Sequence, residues 1–96
     1  MIASEIKALA VKHQMRIVSG GWVVGDSCCP ISLLMIDRFG RGTWEYNSSK
    51  FGTARAELGP WVQGFIHGFD SKEKITSEKD YTTGYSLGVQ MRKELL

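Results

Sequence analysis

Ninety-six residues leave room for one domain with a single core, spanning residues 1–96, and exclude a substrate domain beside a cofactor domain. The composition, 43% hydrophobic and 23% charged, is that of an ordinary soluble globular chain, and a formal charge of +2 excludes a strong overall field for nucleic acid or acidic lipid. Any basic patch must come from local arrangement.

The first segment, "MIASEIKALAVKHQ", mixes charged and apolar residues at helical spacing and holds no uninterrupted apolar run of the kind a signal peptide or membrane span needs. A soluble, cytoplasmic protein with no membrane partner is expected. Ser4 is placed to cap a helix from about Glu5 to Gln14, with Ile6, Leu9, Ala10 and His13 along its inward stripe. His13 on that stripe is expected to be a hydrogen-bonded boundary residue. From Met15 to Ser27 the glycines around "WVV" break the pattern and predict a loop with one short strand. Cys28 and Cys29 are neighbours, and a bridge between adjacent cysteines needs a strained geometry, so both read as free thiols of a reducing compartment.

"CCPISLLMIDRFG" admits two readings. Pro30 at a first helical position and Gly40 just past the end bracket a short helix. Alternatively "ISLLMID" and "TWEYN" pair as a hairpin across the glycines of "RFGRG". The helix is favoured because Leu33, Leu34 and Met35 are better helix than strand formers, while the strand reading stays open for Thr43 to Tyr46. Ser48 or Ser49 then opens a helix to about Leu58, Gly59 ends it, and Pro60 begins another that stops near Asp70. Ser77 with Asp80 forms a capping-box pattern for a last helix to about Leu95. The expected fold is mainly α, a single small domain of about five short helices with at most a minor β-hairpin around residues 22–46.

Two stretches echo each other at a spacing of twenty residues: Trp61, Gly64, Phe65 and Gly68 match Tyr81, Gly84, Tyr85 and Gly88. On a helix, residues four apart lie one above the other, so each glycine pair makes a smooth strip beside an aromatic ridge. Four interior glycines lose roughly 3 to 4 kcal/mol relative to alanine, too much to be idle in a domain stable by about 5 to 15 kcal/mol. Close packing of the last two helices on each other is the first explanation. The alternatives are a homodimer through Gly64, Gly68, Gly84 and Gly88, or a pocket between the last two helices walled by Phe65, His67, Tyr85 and Arg92.

Catalytic, metal and cofactor motifs of known specificity are lacking, and none of these is assigned. His67 and Asp70, three apart, have the spacing of an oriented imidazole, but also that of an ordinary helix C-terminal turn. A thiol near the helix start at Pro30 is placed for a lowered pKa, yet no local motif brings a histidine to it. Adjacent cysteines also lack the gap of a zinc site. Arg38 and Arg41 near Phe39 and Trp44 have the makings of a phosphate or base contact, with a solvated turn as the plainer explanation. The helix pair joined at Gly59 and Pro60 lacks arginine, lysine or asparagine for base edges on its second helix, so sequence-specific DNA binding is not expected. Three tryptophans are many for so short a chain, and Trp22 and Trp44 in glycine-flanked segments are candidates for exposed binding residues.

The expected function is that of a non-enzymatic protein-binding regulator, a profile shared by phage-encoded inhibitors of host systems. A nucleotide-binding or sequestering protein is the alternative, and a small enzyme using His67 with Asp70, or the cysteines, comes third. The expected binding residues are Trp22, Arg41, Trp44, Phe65, His67, Asp70, Tyr85 and Arg92.

Overall fold

Helix α2 (Pro30–Phe39) is the most enclosed element, with Pro30, Ile31, Ser32, Leu33, Met35 and Ile36 all buried. It starts and stops where local chemistry dictates. The Cys29 sulfur caps the start by accepting the Ser32 amide at 3.5 Å, and Gly40, at φ +86, closes the end with its N–H on the Ile36 carbonyl at 2.8 Å. The hairpin alternative for this stretch is thereby overturned. In the computed structural model, which describes residues 1–44 and 48–96, the strand expected from Thr43 is instead a single helical turn, α3 (Arg41–Trp44); the rest of that expectation, at Glu45 and Tyr46, lies outside the described residues.

The fold is mainly α with a minor β element. Helix α1 (Ala3–His13) leads into three two-residue strands, β1 (Arg16–Ile17), β2 (Val23–Val24) and β3 (Ser27–Cys28), in the order β1-β3-β2. β2 and β3 form an antiparallel hairpin with Val23 opposite Cys28, turning through Gly25 at φ +59 and Asp26, while β1 runs parallel to β3. The expected single strand between Met15 and Ser27 is thus a three-stranded sheet whose inner residues, Val23 and Cys28, join the core. After a 3₁₀ turn at Ser48–Lys50 come α4 (Phe51–Leu58), α5 (Val62–Phe69) and α6 (Lys79–Leu95). Five of the described helices have eight residues or more.

Four helix starts differ from expectation: α4 begins at Phe51 after the 3₁₀ turn rather than being opened by Ser48 or Ser49, α5 begins at Val62 rather than Pro60, and α1 and α6 are started by other groups than expected. α1 begins at Ala3 because the Ile6 amide already bonds the Ile2 carbonyl at 3.2 Å, which leaves Ser4 inside the first turn and without a capping role. α6 is capped by Glu78 rather than Ser77: its carboxylate accepts the Asp80 and Tyr81 amides at 3.0 and 2.9 Å.

The glycine pairs face each other within one chain. A methyl group built on Gly64 would stand 1.9 Å from the Tyr81 carbonyl oxygen, and one on Gly84 would stand 1.9 Å from that of Trp61. Gly68 and Gly88 meet the carbonyls of Tyr85 and Phe65 at 2.3 and 2.2 Å in the same construction. Backbone therefore packs on backbone along the α5–α6 seam, with no room left for a ligand between the helices. The surface expected to make a homodimer through these glycines is consumed by intramolecular packing, and all four glycines are buried.

Candidate functional site

The residues singled out from the sequence fall into two groups that meet where Trp22 and Asp70 line one cavity of about 180 Å³. In the first, Trp22 and Trp44 do meet, edge to face with ring centroids 5.5 Å apart, but Trp44 is buried (1% exposed) and only Trp22 reaches the surface. Phe51 extends the cluster, 6.3 Å from Trp22, with the Arg55 guanidinium 5.9 Å above its ring. Phe51 was absent from the expected site. Its position at the start of α4 was the available signal, yet its packing partners lie too far away in sequence to be read.

Beside this cluster a cavity of about 270 Å³ opens at the junction of α2, α3 and α4, lined by Phe39, Trp44, Lys50 and Thr53. Phe39 is 43% exposed at the rim of this cavity. The Trp44 indole N–H is buried and meets no acceptor among the described residues. Arg38 on α2 and Glu57 on α4 pair at 2.6 Å, bracing the two helices that carry the cavity. Arg41 turns away to the β2–β3 hairpin, where its guanidinium donates to the Gly25 carbonyl and lies 3.4 Å from Asp26. Its structural task is to hold that turn against α3.

The second group surrounds the α5–α6 hairpin. Phe65 is fully buried between Trp61 and Phe69, so it walls no pocket. His67 and Asp70 form no hydrogen bond with each other: His67 Nδ1 lies 2.6 Å from the Tyr81 hydroxyl, and Asp70 accepts the Gly20 amide at 2.7 Å. Burial and the nearby Lys72 lower the His67 pKa from its ordinary 6.5, against the opposing pull of Asp70. The Tyr85 hydroxyl donates to the Lys72 carbonyl at 2.6 Å, and Arg92 donates to the Phe69 carbonyl at 2.8 Å. Tyr85 and Arg92 do share an open groove with Gly68, Val89 and Lys93, about 600 Å³ in volume, on the outside of the seam.

Neither thiol is set up as a nucleophile. Burial, with Cys29 adding to it, pushes Cys28 up to about 12, and burial raises Cys29 as well, its bonds to Ser32 opposing. The lowered pKa expected from the start of α2 is overridden by desolvation. Among the described residues no three histidine, cysteine, aspartate or glutamate side chains converge to hold a metal, and no helix is long and apolar enough to cross a membrane. No protein family, curated protein or solved structure matches this chain.

Proposed function

We propose that the chain is a small non-enzymatic regulator, an inhibitor in the manner of phage-encoded ones, that docks a protein partner on the face formed by Trp22, Phe39 and Phe51. The observation that carries this reading is the cavity of about 270 Å³ at which Phe39 stands 43% exposed. It has an apolar floor in Trp44 and a cation, Lys50, at its edge, and Arg55 of α4 lies over the Phe51 ring. A matching partner inserts one large apolar side chain and carries acidic residues beside it. The polar side chains around His67, by contrast, are occupied in holding the fold.

The test replaces Phe39 with a photo-crosslinking benzoylphenylalanine in the producing cell, with the same replacement at exposed Ile75 as the control. A discrete adduct from position 39 that is absent from position 75, and that weakens when Lys50→Glu is added, supports the proposal. No adduct at position 39, or equal adducts at both, rejects it.

A second reading has its own observation: Tyr85, Arg92 and Lys93 share the groove outside the seam, a ring and two cations suited to a nucleotide. Thermal shift with a nucleotide series decides it, since a ligand at a hundred times its Kd adds about 2.7 kcal/mol. No shift at millimolar nucleotide excludes tight sequestration.

A further inference from the structure

The connector from Ser71 to Glu78 is exposed at every residue and has no regular structure after Ser71, yet hydrogen bonds strap it to the α5–α6 hairpin. Near its start the Lys72 amide donates to the His67 carbonyl at 2.9 Å and the Lys72 carbonyl accepts the Tyr85 hydroxyl. Its middle is held by the Ile75 amide, which donates to the Tyr81 hydroxyl at 3.3 Å. That same hydroxyl lies 2.6 Å from His67 Nδ1, and the two rings stand edge to face.

The protonation state of His67 sets what Tyr81 can accept. With a neutral imidazole whose Nδ1 is the acceptor, the Tyr81 hydroxyl donates its hydrogen bond to His67 and keeps a lone pair to accept from Ile75. The Tyr81 O–H and the Ile75 N–H are then both matched. Protonation places a hydrogen on Nδ1, so the imidazolium and the Ile75 amide both point donors at one phenolic oxygen, whose own proton must swing into space one of them held. The charged donor holds its place, because charge-assisted hydrogen bonds are roughly twice as strong as neutral ones.

We propose that His67 and Tyr81 form a proton-operated latch, closing the middle of the connector over the buried Tyr81 ring when the imidazole is neutral and releasing Ile75 when it takes a proton. The charges facing the imidazole are Asp70, just past the end of α5, which favours protonation, and Lys72 of the connector, which opposes it. From α6 come Tyr81 and, stacked on it at 6.1 Å, Tyr85, with Lys74 6.0 Å above the Tyr85 ring. Burial and Lys72 prevail, so the latch is closed at neutral pH and opens only as the pH falls below the ordinary histidine value of 6.5. The device needs no partner at the docking face.

Hydrogen exchange of the Ile75 amide, normalised for intrinsic rate, tests this at about pH 7.5 and about pH 5, with the His67 ring followed by NMR to establish where it titrates. Protection at Ile75 is expected to fall roughly three- to tenfold as His67 protonates, the equivalent of one neutral hydrogen bond, while the Phe65 and Val89 amides hold theirs. His67→Gln, which cannot take a proton, is expected to flatten the pH dependence. Tyr81→Phe is expected to leave Ile75 unprotected at both pH values. Ile75 protection that ignores the His67 titration, that is already missing at about pH 7.5, or that falls equally in His67→Gln overturns the latch.

Discussion

A hydrogen atom is the largest side chain that fits at Gly64 or Gly84, because the carbonyl oxygen of the facing helix occupies the position of the first side-chain carbon, 1.9 Å away. Backbone cannot rotate aside as a flexible side chain does. Alanine at either site must push α5 and α6 apart and loosen Phe65, Phe69 and Tyr81, all buried within this hairpin. Gly64→Ala and Gly84→Ala are each expected to lose about 3 to 5 kcal/mol in urea unfolding, at the upper end of single-substitution effects. Gly52 on α4 has nothing within 4 Å of an added methyl, so the same change there is expected to raise stability by about 0.4 to 1 kcal/mol. A Gly84→Ala protein as stable as the parent would mean that the helix axes stand further apart in solution. The pairs were legible as close-packing devices because a four-residue spacing is local information. Legibility failed for Asp70 and Arg92: the groups they bond, the Gly20 amide and the Phe69 carbonyl, lie fifty and twenty-three residues away.

At the scale of elements, the sequence signals with a backbone cause were the reliable ones. Pro30 and Gly40 bracketed α2, and Gly59, at φ +106, ended α4 where a left-handed residue was needed. Strands of two residues carry no alternation to detect, so the sheet was mostly invisible, and the Trp44 turn broke the expected strand because Arg41 anchors it to the hairpin turn. The clasp between α1 and α2 was half legible: His13 read as a hydrogen-bonded boundary residue, and its partner is Asp37, at 2.8 Å, which also meets Lys12 at 2.9 Å. Those two hydrogen bonds, His13 first, hold the Asp37 carboxyl below its ordinary 3.8. Between the lowered folded value and 3.8 the unfolded chain binds more protons, so stability rises with pH across that window. The contribution is complete above 3.8 and lost as pH drops through the folded value. Asp37→Asn is expected to lose about 0.2 to 1 kcal/mol at neutral pH, as exposed pairs do, and to show a shallower acid limb in urea midpoints taken below about pH 5. Parallel acid limbs in the two proteins would remove Asp37 from the account.

Across the whole molecule, burial is distributed unevenly enough to rank the helices by local stability. α2 buries six residues, α5 buries Val62, Gly64, Phe65, Gly68 and Phe69, and α6 adds Tyr81, Gly84, Gly88 and Met91 from the opposite side of the seam. α1 and α4 bury one residue each, Ile6 and Ala54. A helix with one buried residue opens without disturbing the rest of the core, whereas opening α5 exposes Phe65 and Phe69 and takes the seam with it. The Asp70 to Gly20 bond and the packing of Ile6 and Met91 into the same core then couple the seam to the N-terminal half. Native-state hydrogen exchange is therefore expected to show the slowest amides in α2, α5 and the Tyr81 to Met91 stretch of α6, all opening near the global unfolding free energy. Those of α4 and of the outer turns of α1 are expected to open at lower free energies, with a smaller dependence on denaturant. If α4 amides exchange as slowly as those of α5, the core extends through the Phe39 and Trp44 cavity and that face is rigid before any partner arrives. Faster exchange in α4 would instead mean that docking there has to order the helix that carries Thr53 and follows Lys50, weakening the interaction by the free energy of that ordering.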